Sequence, residues 1–342
     1  MNRIRLKTHA GETGIFIPGS MEKLDELVSP ESTIILADEN VIKFHRERLH
    51  SFPIVPVAEG EASKSLETYN DIFQLLLDKN VDRSWNLVGI GGGITTDLAG
   101  FVASTYFRGI KFGYVSTTLL GQVDAAIGGK SGINYKGYKN LIGVINQPKF
   151  VLCDTDSLKT LPKKEFIGGF SEIIKYALIR RGNLVPYLQE NLEHAIEFEM
   201  DTLEYLVKES VKTKVEIVES DEYENGDRKL LNFGHTFGHA LEKLYGISHG
   251  EAVAIGMMLA TKASFNMGMI DQEVISQLEN LLVIAGLPVH MEFDPDLMAE
   301  AMKKDKKRRK DNMDFILLED IGKAVVKGIP IHKISSLLHD LR

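Results

Sequence analysis

Cysteine is almost absent from this sequence: Cys153 is the only one among 342 residues. A single cysteine rules out an internal disulfide framework and points to an intracellular, cytoplasmic setting. Cys153 sits in the apolar run "FVLCD" and is expected to be a small buried hydrophobe rather than a nucleophile. Long apolar runs are also missing. None approaches the roughly 20 residues a bilayer span needs, and "MNRIRLKTHAGETG" holds no apolar signal core with a cleavage site, so no membrane partner is expected. Net positive charge is lacking too. A formal charge of −8 argues against a nucleic-acid partner, which requires a basic face to displace counterions. The exception is "KKDKKRRK" at 303–310, read as a solvated helix end or loop, as the source of a lysine for an anionic ligand or, least of the three, as a nucleic-acid contact.

What remains is the composition of an ordinary globular protein, long enough for two domains. No internal repeat, low-complexity segment or long flexible linker interrupts it. In the first half, short apolar segments alternate with helical periods. "STIILADEN", "WNLVGIGGG" and "IKFGYVST" read as strands, and "SLETYNDIFQLLLDKN", capped by Ser65, and "TTDLAGFVASTYF" as helices. That alternation predicts an α/β domain with a mainly parallel sheet over residues 1–158. From 159 to 342 the segments "KEFIGGFSEIIKYALIRR", "DTLEYLVKESVKTKVEIVESD", "HTFGHALEKLY", "GEAVAIGMMLATKASFNMG" and "DQEVISQLENLLVIAG" fit helical periods, which predicts a mostly α-helical second domain. A cleft between two such domains is the expected place for a site.

Three stretches carry chemistry. "VGIGGGITTD" places glycines between a strand and a helix, the geometry that aims backbone N–H groups at a phosphate. Ile94 breaks the G-x-G-x-x-G pattern, so this is not a standard Rossmann turn. Asp38 and Asn40 in "ADEN" end a strand where ribose hydroxyls could bind, and dinucleotide binding follows as the expectation. "QVDAAIGGKSGINYKGYKN", read as an ordered loop, combines glycines with Lys130, Lys136 and Lys139. These lysines are either solvated or part of a phosphate or carboxylate site. In "LNFGHTFGHALE", His235 and His239 are four apart on one helix face, and His249 follows shortly after. Glu172 and Lys175 sit three apart on an otherwise apolar helix. Histidines with a carboxylate point to a catalytic divalent metal, and spacing alone makes His235 and His239 joint ligands. No H-E-x-x-H occurs, which excludes a zinc-protease reading.

Taken together, "GGGITTDLAGF", "STTLLGQVDAAIGGKSGIN", "LKTLP", "GGFSEIIKYALI", "LNFGHTFGHALE" and "HGEAVAIGM" resemble the dehydroquinate synthase family of sugar-phosphate cyclases, from about residue 36 to the "DKK" at 305–307. The resemblance implies an N-terminal NAD domain, a helical metal domain, a divalent metal (usually zinc, with cobalt as an alternative) and a homodimer. It implies the conversion of 3-deoxy-D-arabino-heptulosonate 7-phosphate to 3-dehydroquinate and phosphate, with NAD regenerated each turnover. Position by position it reassigns the metal to Glu172, His235 and His249 and moves His239 to the substrate. Further substrate positions fall on Asp124, Lys130, Asn140, Lys175, Lys214, Arg228 and Asn232, with Lys306 or Lys307 from "DKK". Arg108 matches an arginine that reaches the partner subunit's site. The NAD positions fall on Asp38, Asn40, Glu61, Lys64, Gly92, Gly93, Asp97, Thr117, Thr118, Lys139, Thr160 and Glu165.

Two residues depart from the family pattern near the NAD positions. Thr96 stands where glycine is usual, and Ser116 where proline precedes the threonines. The competing readings are another cyclase, acting on sedoheptulose 7-phosphate or glucose 6-phosphate, and a metal-dependent polyol dehydrogenase. The second shares a GGG-x-x-x-D turn and would release NADH, but it leaves "GGKSGIN" and "LNFGHTFGHALE" unexplained.

Overall fold

The computed structural model describes residues 2–303, 308–309 and 311–342, with backbone alone at 2, 308 and 309. Lys306 and Lys307 lie outside the described residues, as does most of the basic run that contains them. The chain divides into two compact units, Met1–Pro162 with Glu204–Tyr223, and Lys163–Leu203 with Glu224–Arg342.

The first unit is built on a seven-stranded sheet. Its strands are β1 (Asn2–Thr8), β2 (Gly11–Ile17), β3 (Thr33–Asp38), β4 (Ile54–Val57), β5 (Asn86–Gly91), β6 (Lys111–Ser116) and, after a separate hairpin of β7 (Lys130–Tyr135) and β8 (Tyr138–Ile145), β9 (Phe150–Cys153). The order is β1-β2-β9-β6-β5-β3-β4, and every pair is parallel except β1–β2. The parallel sheet expected from the alternating pattern is therefore present. Its middle strands are continuous apolar runs because both faces are covered: Thr33–Ala37 and Leu87–Gly91 are all buried. On one face Ile35, Ala37, Val88, Ile90, Val115 and Leu152 pack with Leu24, Val41, Leu49 and Phe52. Each of these side chains larger than alanine contributes about 1.5–3 kcal/mol. The helices of this unit include α1 (Glu39–His45), α2 (Leu66–Asp78) and α3 (Gly93–Thr105). α2 starts at the expected cap, where Ser65 accepts a hydrogen bond from the Thr68 N–H at 3.1 Å.

Two sequence readings meet the structure here. The stretch 122–140 is not a loop: it contains most of a short π-turn, Gly121–Ala125, and most of the β7–β8 hairpin. Lys136 and Gly137 form its two-residue turn with φ 48 and 78. That is the left-handed geometry a tight hairpin needs, here with lysine where asparagine is the usual signal. Cys153 meets expectation: it is fully buried and its thiol is pushed up to about 12 by burial and by Asp154, so it is not a nucleophile.

The second unit holds α4 (Lys163–Ile179), α5 (Leu184–Ile196), α7 (His235–Tyr245), α8 (His249–Asn266), α9 (Gln272–Ile284), α10 (Pro295–Lys303) and α11 (Ile334–Leu341). α6 (Met200–Ser220) begins in this unit and continues in the first. A three-stranded antiparallel sheet, β10 (Arg308–Arg309), β11 (Asn312–Asp320) and β12 (Lys323–Pro330), interrupts the helices. Helical periodicity gives no hint of it. α8 is the axis: it is buried almost throughout and packs on α4, α7, α9 and β11.

Candidate active site in two parts

The first part lies at the carboxyl ends of β3, β5 and β6. β3 has β4 on one side and β5 on the other, so the strand order reverses between β3 and β5. In an open α/β sheet the ligand crevice lies outside the carboxyl ends at such a reversal. Asp38 ends β3, Gly92 and Gly93 follow β5 and open α3, and Thr117 and Thr118 follow β6. Asp38 caps α1 by accepting from the Asn40 N–H at 2.8 Å, and Asn40 donates through Nδ2 to Glu59 at 2.9 Å. Thr118 Oγ1 accepts from the Gly121 N–H at 3.0 Å.

The two departures sit differently in their surroundings. Thr96 is buried in the first turn of α3 and donates to the Gly92 and Gly93 carbonyls, each at 3.2 Å, so its hydroxyl is absorbed by the helix itself. Ser116 is fully buried in the last position of β6, and its hydroxyl finds no hydrogen-bond partner.

A polar chain runs beside the glycine turn. Lys64, buried, donates to Asp97 Oδ2 at 2.6 Å and to Asn140 Oδ1 at 2.5 Å. Burial pushes the Asp97 carboxyl up to about 6, against the pull of Lys64, with Glu61 adding to the rise. Lys214, on α6, reaches both the backbone carbonyl and Oδ1 of Asp124 at 2.5 Å. Lys130 and Lys139 are exposed on the β7–β8 hairpin. The Thr160 hydroxyl lies 2.9 Å from His45 Nε2. Arg108 is exposed at φ 66, just after Phe107 at φ 51. Sequence reasoning missed His45 and also Asn134, which touches both Glu61 and Asn140.

The second part lies among α4, α7 and α8. Glu172 and Lys175 share the buried face of α4 because residues 169–179 are all buried, and their side chains form an ion pair. His235 is the first residue of α7 and His249 the first of α8. Gly234 enters α7 with φ 78, a left-handed step that suits glycine. A Cβ on Gly256 would lie 2.0 Å from the Gly234 carbonyl oxygen, so this glycine permits the close approach of α7 and α8. α8 starts from a capping box of Ser248 and Glu251, which fixes where His249 emerges.

Glu172 Oε1 lies 3.6 Å from His235 Nε2 and 3.5 Å from His249 Nε2. Ligands about 2.1 Å from a tetrahedral ion stand about 3.4 Å apart, so Glu172 is at ligand spacing from each histidine, and all three ligand atoms lie within 4.8 Å of one another. His235 Nδ1 lies 3.1 Å from the Phe233 carbonyl. That contact places the proton on Nδ1 and leaves the Nε2 lone pair facing Glu172. Apart from the Lys175 ammonium, neither oxygen of the buried Glu172 carboxylate has a hydrogen-bond partner, which suits a cation. Burial opposes charge on His249, but the pull of the nearby Glu172 carboxylate, joined by Glu242, outweighs it and raises its pKa. Among the described residues this is the one group of three or more histidine, cysteine or carboxylate side chains compact enough for a metal, and His239 is not in it. His239 stands beside it, its ring 5.4 Å from that of His235. Ligation by the i, i+4 pair, the choice of spacing alone, does not match this geometry.

Around this group, Arg228 is buried, and Asn232 donates to Glu224 at 2.5 Å. Glu224 was not expected from the sequence. Glu165 is exposed in the first turn of α4. No helix among the described residues is long and apolar enough to cross a membrane.

Two family models match in tandem: 3-dehydroquinate synthase N-terminal over residues 54–168 and 3-dehydroquinate synthase C-terminal over residues 169–308. A 3-dehydroquinate synthase of Thermoanaerobacter pseudethanolicus is 40% identical over 341 residues, covering 94% of this chain and 95% of that one. Among solved structures, a 2-deoxy-scyllo-inosose synthase complexed with carbaglucose-6-phosphate, NAD+ and Co2+ superposes with a TM-score of 0.87 at 25% identity, covering 98% and 99% of the two chains. A 2-epi-5-epi-valiolone synthase from Streptomyces hygroscopicus with NAD+ and Zn2+ bound gives 0.86 at 26% identity, covering 96% of each.

Proposed function

The chain belongs to the 3-dehydroquinate synthase family, and on that premise we propose that it converts 3-deoxy-D-arabino-heptulosonate 7-phosphate to 3-dehydroquinate and inorganic phosphate. The reaction class is a carbon–oxygen lyase that eliminates phosphate and closes a carbocycle. The observation that carries the proposal is the Glu172–His235–His249 group with Lys175 beside it, in a chain matched along both family models.

In this reading Glu172, His235 and His249 hold a divalent cation, zinc or cobalt. Asp38, Asn40, Glu61, Lys64, Gly92, Gly93, Asp97, Thr117, Thr118, Lys139, Thr160 and Glu165 serve NAD. When bound, the nicotinamide supplies reversible oxidation of the C5 hydroxyl and the cation acidifies that hydroxyl. The remaining work falls to the chain. An acidic protein must concentrate positive charge where a carboxylate and a phosphate bind, and Lys130, Lys175, Lys214 and Arg228 provide it. Asn140, Asn232 and His239 orient hydroxyl and carbonyl groups by hydrogen bonds. Asp124 restrains Lys214 through a 2.5 Å contact. Lys175, paired with Glu172 inside α4, keeps a fixed ammonium beside the cation site. Holding one flexible substrate through elimination, ring opening and aldol closure is largely a matter of proximity.

The proposal extends to a cytoplasmic homodimer in which Arg108 of each subunit serves the other's site. Its support is the exposed position of Arg108 beside Phe107, which is 44% exposed. Phosphorus NMR with three candidate substrates tests the activity. The seven-carbon keto acid phosphate should lose its phosphomonoester resonance, while sedoheptulose 7-phosphate and glucose 6-phosphate persist. Turnover of either neutral-sugar phosphate in its place would move the chain to another cyclase activity.

A further inference from the structure

The β7–β8 hairpin is irregular at one place, and that place coincides with two proposed site residues. Ile133 pairs with Ile142 and Tyr135 with Tyr138, so Asn134 alone faces Lys139, Asn140 and Leu141. The surplus on β8 is taken up at Asn140, which has φ 50. A bulge of this kind re-aims side chains. Asparagine tolerates the left-handed region better than most non-glycine residues, and contacts from its neighbours fix it there.

Asn134 makes the holding contacts. Its Oδ1 accepts from the Asn140 N–H at 2.9 Å, and its Nδ2 donates to Glu61 Oε1 at 2.8 Å. Its backbone N–H donates to the Lys64 carbonyl at 2.8 Å. The amide can face only one way: its oxygen must meet a backbone donor, and its nitrogen a carboxylate. Asn140, so placed, accepts from Lys64, which also holds Asp97 at the start of α3. The Asn134 carboxamide thus ties Glu61 to Asn140, while its backbone N–H holds Lys64, three residues after Glu61.

We infer that Asn134 is a positioning residue that sets Glu61 for the dinucleotide with its nitrogen and Asn140 for the substrate with its oxygen. This rests on the functional reading above for what those two neighbours bind. The two halves of the amide separate by substitution. Asn134→Asp keeps an acceptor for the Asn140 N–H but turns a carboxylate on Glu61. Asn134→Ala loses both contacts. The backbone bond to Lys64 survives in each.

The test measures three things in the metal-loaded full chain: NAD dissociation constant by fluorescence quenching, KM for the seven-carbon acid phosphate, and amide exchange of the 138–142 segment. Losing a hydrogen bond to a charged group costs about tenfold or more in affinity. N134A should therefore raise the NAD constant about tenfold, raise KM several-fold through the lost neutral bond to the Asn140 N–H, and speed exchange at Asn140. N134D should raise the NAD constant at least as much, leave KM within about twofold, and keep Asn140 protected. A merely structural role would move both constants together in both variants, and that result overturns the inference. Unchanged exchange at Asn140 in N134A overturns it as well, whatever the ligands prove to be. Failure of the unmodified chain to bind NAD or turn over substrate, with the exchange results as expected, would instead count against the functional reading alone.

Discussion

Glu172→Ala removes a carboxylate with no solvent exposure and leaves the Lys175 ammonium, 1% exposed, without its partner. Breaking a buried pair by deleting one member costs about 3–5 kcal/mol, because a charge is left uncompensated. At about 2–4 °C per kcal/mol, the metal-free variant should melt roughly 10 °C below the unmodified chain. Glu172→Ala with Lys175→Met removes both charges and should recover most of that loss. Neither variant should gain stability from metal. Zinc at a hundred times its dissociation constant adds about 2.7 kcal/mol to a protein that binds it only when folded. The assay is thermal unfolding by circular dichroism, with zinc and with a chelator. A double variant no more stable than the single one would show that the stranded ammonium is not the cause. A zinc-induced rise in Glu172→Ala equal to that of the unmodified chain would remove Glu172 from the ligand set.

Other outcomes follow from the same geometry. Asp97 titrates at about 6 in the fold against an ordinary 3.8, so the fold favours its protonated form. Its ionisation therefore withdraws stability as pH rises from about 4 to about 6, while the charged Lys64–Asp97 pair is complete only above about 6. NAD affinity should weaken as pH falls through about 6, and Asp97→Asn should abolish that inflection; an unchanged inflection would assign it elsewhere. Because the pKa of His249 is raised, a proton competes with metal there, and zinc affinity measured by competition with a chromophoric chelator should fall with decreasing pH. Gly256→Ala drives a methyl into the Gly234 carbonyl and should cost about 2–4 kcal/mol together with metal content, read by denaturant unfolding and metal analysis. Lys130→Ala should raise substrate KM with metal content unchanged; lost metal with normal KM would show its role to be misassigned.

Much of this architecture is legible in the residues. Buried parallel strands such as "TIILAD" and "NLVGIG" need both faces covered, so they read as unbroken apolar runs, and the helices between them keep their caps, as at Ser65. What is not legible depends on contacts between distant segments or on uncommon turn chemistry. The β7–β8 hairpin turns on Lys136–Gly137 and carries a bulge, so its alternation is broken where the pattern would be sought. β11 and β12 follow a long helical stretch, and the helical periods before them mask the change to strands. In the metal group, His235 and His239 share a helix face, and spacing cannot tell a ligand from its neighbour. The distinction comes from the approach of α8 to α7, which carries His249 and not His239 to Glu172. The family resemblance supplies that reassignment. Asn134 and Glu224 stay hidden because neither lies within a few residues of the side chain it holds.

The most direct test is phosphate release from 3-deoxy-D-arabino-heptulosonate 7-phosphate with substoichiometric NAD, with absorbance at the NADH band followed in the same cuvette. The proposed chemistry requires phosphate in excess of the NAD supplied, no accumulating NADH, and arrest by a metal chelator. Phosphate release that a chelator leaves untouched, or steady NADH accumulation with a polyol and no phosphate release, would contradict it.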